Sequence, residues 1–404
     1  MPWKSPVCLR KLRAAFIMSI LVYFLIAGEI VIMISPFAAY FFSVYAPVLE
    51  LLAKSRRLAW AADFFLPHLV FTGDWLVRSV SFLQIFFLIG LVLFLLAALP
   101  LYYLKIFKKR MAQRGPYAMV RHPQYLALAI SGFGLLIYWP RFIILVLYVT
   151  MLFVYYALAR NEEWRCMRKY GASYEEYLKK TPMFIPGAPG GRFFMAAFGW
   201  IRPRWAGMAA LYLVVLVGSG LAAAALRAHS EKVITKFLYT DKTGNSIMAV
   251  PVYPGKAKDI LGITGAAVDA AGSRQVNLHG VNLAYVMPAD FFLMAVATGE
   301  PRFNDSAGHD NQAHTGLADF FGIFFNYMAG LAGSVYSASD VERVIFVQAA
   351  GPGGAPVAAE DCLRAGLIRM PRAMADMDLV TGKVIAVKKL GGGNKWGRAP
   401  MPAF

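Results

Sequence analysis

Nothing constrains this chain more than its unbroken apolar runs. Ala14–Ile34, Val80–Leu104 and Gly207–Leu226 each supply the roughly 20 apolar residues a helix needs to cross a bilayer core. Two shorter runs, Tyr125–Trp139 and Phe142–Ala159, are separated by Pro140 and Arg141 alone, which predicts a tight helical hairpin. Both free ends of such a hairpin emerge on one side of the membrane. Hydrophobic residues make up 58% of the 404, too many for an ordinary soluble enzyme. The first run is long, carries Glu29 and lacks a small-residue cleavage site, so it reads as a retained helix and not as a signal peptide.

The charge is unevenly placed. Of a net +18, residues 1–227 hold 25 Lys and Arg against 8 acids, while residues 228–404 hold 16 against 15. Basic residues beside apolar runs are the positive-inside pattern, so the excess speaks of a membrane and not of nucleic acid. Lys4, Arg10, Lys11 and Arg13 place the N-terminus in the cytoplasm, and Lys105, Lys108, Lys109, Arg110 and Arg114 do the same for the loop before the hairpin. Nine Lys and Arg against four acids keep 160–206 inside as well.

The expected fold is an all-α multi-span membrane domain, about five transmembrane helices with a helical hairpin, over residues 1–227 (core 80–190). A mixed α/β extramembrane domain follows over 228–404. There, short β-like runs ("NSIMAVPVY", "RVIFVQAA", "GKVIAVKKL") alternate with Gly, Pro, Asp and Asn turns. Parity puts this domain outside, across the membrane from the hairpin ends, and the simple layout points to a bacterial inner membrane. The stretch 36–78 reads as an amphipathic or re-entrant excursion on the outer side: 37–53 is nearly long enough to span, whereas Asp63, Pro67 and His68 make 58–73 a poor span. Residues 317–336 suit either a sixth span or a helix that is buried or rests on the membrane. Cys8, Cys166 and Cys362 are scattered, which gives neither a disulfide framework nor a metal spacing. His309, Asp310 and His314 do not have a zinc spacing, and no metal is expected.

The chemistry-bearing residues gather at the hairpin ends. Tyr117, Arg121, His122, Pro123 and Tyr125 precede the first arm, and the second arm runs out into "ARNEEWRCMRKYG". His122 and Glu162/Glu163 are therefore expected to be neighbours. An amphipathic stretch follows in which Tyr170, Tyr174 and Tyr177 share one helical side apart from a break at Gly171. Arg121 or His122 can pair a carboxylate, and Glu162 or Glu163 an ammonium or ribose hydroxyls. Tyrosine faces can meet a sulfonium cation, worth about 0.5–2 kcal/mol. Pro123 keeps the residue before it from being helical.

"RHPQY", "NEEWRCMRKYGASYEEY" and "TPMFIP" resemble the integral-membrane methyltransferases related to isoprenylcysteine carboxyl methyltransferase and phospholipid N-methyltransferases. The resemblance covers about residues 80–190 and departs from the common pattern at Leu126-Ala127, where a glycine is frequent. It implies S-adenosylmethionine as cofactor, bound by Tyr117, Arg121, His122, Pro123, Tyr125 and Glu163. Glu162 and His122 would be the catalytic residues, as proton acceptors for an amine, and Tyr174 and Tyr177 would face the substrate. The acceptor would be a lipid or lipophilic group entering from the bilayer, an isoprenoid carboxylate or a phospholipid amine.

Two other functions stay open from sequence. Membrane sterol reductases using NADPH share an Arg-His-x-x-Tyr and a Lys-Tyr-Gly pattern, but Asn161-Glu162-Glu163 stands where they tend to carry an Arg/His-rich run. Alternatively the helices are an anchor and 228–404 binds a partner.

Overall fold

The computed structural model of the chain describes residues 51–52, 55, 57–67, 70, 72–104, 111–185, 189–242, 244–252, 258–289 and 340–390. The expected first span at 14–34, nearly all of 37–53, the 317–336 run and the His309–His314 stretch lie outside these residues, as do Glu29 and Cys8.

The helices, in chain order, are α1 (Trp75–Phe82), α2 (Phe86–Tyr103), α3 (Pro116–Met119), α4 (Pro123–Tyr138), α5 (Phe142–Tyr170), α6 (Ala172–Lys180), α7 (Pro189–Phe198) and α8 (Arg204–Val233). A 3₁₀ turn joins α1 to α2, making one helical run over Trp75–Tyr103. That run, α5 and α8 are long and apolar enough to cross a membrane. The first hairpin arm, α4, is apolar but short, with 16 residues or about 24 Å at 1.5 Å per residue. Of the five expected spans, the four that fall on described residues are thus three candidate spans and one short apolar helix, α4; the fifth, 14–34, lies outside the described residues. Residues 59–66 form no helix of membrane-crossing length. They make a 3₁₀ turn, Ala59–Ala62, and a bent segment bridged to Arg141.

Contacts group the chain into two compact units that interleave along the sequence. The first is built chiefly from Phe86–Phe133 and Leu147–Val215. Within it α4 and α5 run antiparallel. Tyr125 packs on Tyr155 with ring centroids 5.3 Å apart, and, further along, the Tyr148 hydroxyl donates to the Ala129 carbonyl at 3.1 Å. Helices α2 and α4 meet backbone to backbone. A Cβ on Gly90 would lie 2.3 Å from the Ser131 nitrogen, and Ser131 Oγ donates to the Phe87 carbonyl at 2.9 Å. Small residues permit this approach in a membrane helix, where apolar burial alone gives helices no reason to associate.

The second unit comprises Ser43–Ile85, Gly134–Val146 and Leu216–Phe404. Its sheet has strands β1 (Phe237–Thr240), β2 (Ser246–Pro251), β3 (Leu283–Pro288), β4 (Val341–Ala350), β5 (Ile368–Asp378) and β6 (Lys383–Lys389), ordered as in the sequence. All neighbours are antiparallel except β2 and β3, whose parallel pairing is made possible by the crossover helix α9 (Ile260–Ser273). Ile260, Ile263 and Ala267 of α9 pack on Ile247, Ala249, Val286, Val344 and Phe346 of the sheet. The three β-like runs named from sequence are β2, β4 and β6.

A buried charge cluster ties this unit together. Asp63, fully buried, pairs with the equally buried Arg369 at 3.3 Å and accepts from the Gly366 amide. Arg141, in the hairpin turn, donates to the Ala62 carbonyl; Arg227 of α8 donates to the carbonyls of Phe64 and Leu363 and to Glu231. The residue that spoiled 58–73 as a span is therefore a buried counter-ion for the sheet.

Candidate functional site

The site stands on three pieces of local structure. Pro123 opens α4 at its first helical position, where a missing N–H costs nothing. The His122 carbonyl accepts the first bond of that helix, from the Leu126 amide at 3.2 Å. On the return arm, α5 stays helical well past its apolar stretch, through Glu162 and Glu163 to Tyr170. Gly171, at φ +53°, ψ −128°, then turns the chain into α6 in a conformation that glycine alone tolerates. Gly115 takes the same conformation, φ +63°, ψ −132°, ahead of α3.

These elements bring the hairpin ends together as expected. Arg121 Nε lies 2.8 Å from Glu163 Oε1. His122 sits between the two acids, Nδ1 at 3.3 Å from Glu162 Oε2 and Nε2 at 3.6 Å from Glu163 Oε1. Arg160 Nη1 adds a contact to Glu163 Oε2 at 3.3 Å. The Tyr125 hydroxyl donates to Glu162 Oε1 at 3.1 Å. Glu163 is buried among three basic groups, whereas the Glu162 side chain keeps 28% of its surface exposed. Burial alone would lower the His122 pKa; the adjacent Glu162 and Glu163 carboxylates outweigh it and hold the pKa above its ordinary value.

Arg121 also has a role that the sequence did not announce. Its Nη1 donates to the carbonyls of Leu178 and Thr181, at 2.9 and 2.7 Å, where α6 ends. A cation there meets carbonyls that have no intrahelical partner. The Arg121 and His122 amides donate to the carbonyls of Pro182 and Met183, so the segment after α6 is sewn to the start of α4. Phe184 then packs its ring 5.9 Å from the His122 imidazole.

Tyr117, Tyr174 and Tyr177 are buried beside this cluster. The Tyr177 hydroxyl donates to the Tyr117 carbonyl at 2.6 Å, the Tyr117 hydroxyl to Gln124 Oε1 at 3.1 Å, and the Tyr174 and Tyr177 rings pack at 5.8 Å. Burial pushes the Tyr177 hydroxyl up to about 12. Tyr177 is therefore committed to holding α6 against α3, with its hydroxyl already in use. Gln124 and Phe184 were missed from sequence although both were in view: Gln124 lies inside "RHPQY" and Phe184 inside "TPMFIP". Tyr155 had no local signal, because its partner Tyr125 is on the other arm.

Acids and bases thus pair where the two arms of the hairpin end. Residues 75–173 match the family described as phospholipid methyltransferase, so this part of the chain carries the signature of the integral-membrane methyltransferases that its motifs resemble. Methyltransferases of that family generally use S-adenosylmethionine. No curated protein and no solved structure matches the chain. The three apolar helices and the family match mark a membrane protein.

Proposed function

We propose that the hairpin site transfers a methyl group from S-adenosylmethionine to a lipid or lipophilic acceptor, an isoprenoid carboxylate or a phospholipid amine. The observation that carries this reading is the meeting of Arg121, His122, Glu162 and Glu163 in one buried cluster inside the segment that matches phospholipid methyltransferases. The positive-inside distribution supports a cytoplasmic position for the site and, by parity, an outer position for 228–404.

The residues suit the cofactor. Arg121 Nε, both ring nitrogens of His122 and Glu163 Oε1 are buried, and they face one another and Glu162 at 2.8 to 3.6 Å. A mixed acid and base set of this kind matches a group bearing both a carboxylate and an ammonium, which would exchange with these internal pairs. When bound, S-adenosylmethionine supplies a methyl on a sulfonium: the S–C electron pair stays with sulfur as an acceptor lone pair forms the new bond to carbon.

The chain's own contribution is alignment, which can supply roughly 7–11 kcal/mol. Arg121 and His122 offer N–H donors on one side, and Tyr125 fixes the direction of Glu162 through its hydroxyl. An amine acceptor must give up a proton, and Glu162 Oε2, more open than Glu163 and 3.3 Å from His122 Nδ1, is placed to receive it. A carboxylate acceptor needs no base.

The reading is tested by incubating the purified full chain with methyl-labelled S-adenosylmethionine and a total lipid extract. Label in the lipid phase, lost in His122→Ala, supports it. No label, with NADPH consumed instead, hands the site to the reductase reading.

A further inference from the structure

Helices α5 and α8 are both candidate spans, and the described helices between them, α6 and α7, have 9 and 10 residues. Neither is long enough to cross a bilayer core, so residues 171–203 stay on the side where α5 ends. Helix α7 packs one face on the first turn of α8: the tip of the Phe194 ring would lie 3.2 Å from a Cβ on Gly207, and the Phe194 and Phe198 rings stack at 6.0 Å. Its other face is turned outward. Phe193 and Met195 there, Trp200 in the turn that follows and Trp205 at the start of α8 each keep more than half of their surface exposed. Large apolar side chains grouped along one short stretch mark an interaction surface.

Arg192, Arg202 and Arg204 are interleaved with them and are exposed as well. No Asp or Glu occurs between Glu176 and Glu231, and neither α7 nor α8 has an acid in its first turn. The stretch thus holds no acid of its own to offset the three arginines. By contrast, Lys179 and Lys180 of α6 are matched by Glu175 and Glu176 at 3.2 and 3.3 Å.

We infer that α7 and the turn into α8 lie in the headgroup layer and bind acidic phospholipids there. A helix with an aromatic outward face and arginines beside it lies in the plane of the interface, and its hold depends on the charge of the lipid. Indole rings settle at headgroup depth, and guanidinium groups pair with phosphate through two N–H donors. Basic residues near a negatively charged leaflet add to the attraction over about a Debye length, ~8 Å at physiological salt. Basic charge that served insertion alone needs no exposed apolar face beside it. Because α8 is a candidate span beginning at Arg204, the bilayer is the apolar phase nearest to this face, and its acidic lipids are the nearest source of negative charge. The surface owes nothing to the chemistry at His122.

The test places the full chain in nanodiscs of phosphatidylcholine and phosphatidylglycerol in equal parts, with bromine on the acyl chains of one lipid or of the other. Bromine quenches tryptophan fluorescence on contact, and the share due to Trp200 and Trp205 is the difference between wild type and Trp200→Phe/Trp205→Phe. Brominated phosphatidylglycerol should quench that share about threefold more than brominated phosphatidylcholine does, and the excess should shrink as salt is added. In Arg192→Gln/Arg202→Gln/Arg204→Gln, whose exposed side chains leave the melting temperature unchanged, the two lipids should quench alike. Equal quenching in wild type would show a surface indifferent to lipid charge and overturn the proposal. A phosphatidylglycerol preference that survives in the triple variant would overturn it too, since these arginines would not be its source. Quenching by neither lipid would mean that protein or water covers this face, which contradicts it as well.

Discussion

Arg121 holds Glu163 with one part of its guanidinium and the end of α6 with another: Nε is 2.8 Å from Glu163 Oε1, while Nη1 reaches the carbonyls of Leu178 and Thr181. The ion pair and part of the docking of the segment leading to Phe184 thus share a single planar group, beside the bonds from the Arg121 and His122 amides. A lysine ammonium is a point charge and cannot reproduce that fork. Arg121→Lys should lose about tenfold or more in S-adenosylhomocysteine affinity and lower the melting temperature, although the net charge is kept. Calorimetry and thermal unfolding of the purified variant check both; wild-type values in both would mean that charge alone matters.

The two acids should part company on substitution. Glu163 is buried against Arg121, His122 and Arg160, and replacing it leaves buried cations uncompensated, a loss of about 3–5 kcal/mol. Glu162 is partly exposed, so Glu162→Gln should fold normally yet slow transfer to an amine by about 10²–10⁴. Unfolding and turnover measured on Glu163→Gln and Glu162→Gln distinguish these outcomes, and equal stability loss in the two would contradict the assignment.

His122 makes stability depend on pH. Its folded pKa is raised by the two carboxylates above an unfolded value of about 6.5. The protonated form therefore favours the folded state. The contribution is complete below the unfolded pKa and is lost as pH rises through the folded pKa. Wild type should lose melting temperature on that rise, and His122→Gln should lose less; parallel profiles would show that the imidazolium does not contribute.

Gly171→Ala isolates backbone conformation from packing. A Cβ there meets no atom within 4 Å, so the cost comes from φ +53°, ψ −128° alone, about 1–3 kcal/mol. Thermal unfolding of the variant measures it. An unchanged melting temperature would mean that the α5–α6 bend does not need glycine.

Asp63 faces Arg369 across 306 positions of chain, both fully buried. Asp63→Asn removes the charge and keeps the shape, and should cost about 3–5 kcal/mol through the stranded arginine. A melting temperature like that of wild type would contradict a clamp built on this ion pair.

What the sequence disclosed and what it hid follow from the range of the interactions. The hairpin and the meeting of His122 with Glu162 and Glu163 were readable because two apolar runs and a Pro-Arg turn fix which ends adjoin. Strands β2, β4 and β6 were readable as apolar runs between turn residues. β5 was not, because "IRMPRAMADMD" contains Pro371; that proline sits where the β4–β5 register is irregular, a place where strands accept one. β3, "LAYVMP", is buried along its whole length, so it lacks the alternation that marks a half-exposed strand. Asp63 looked only like a flaw in a span, since Arg369 is too distant in sequence to suggest itself as a partner. The Arg121 contacts to Leu178 and Thr181 use backbone carbonyls, which leave no side-chain signature.

The central claim is that the Arg121–His122–Glu162–Glu163 cluster holds the methyl donor. Its most direct test is calorimetric binding of S-adenosylhomocysteine to the detergent-purified full chain, wild type beside His122→Ala and Glu163→Ala. Micromolar binding to wild type, weakened at least about tenfold in both variants, is the result this account predicts. No binding to wild type, or binding that both variants retain, would contradict it.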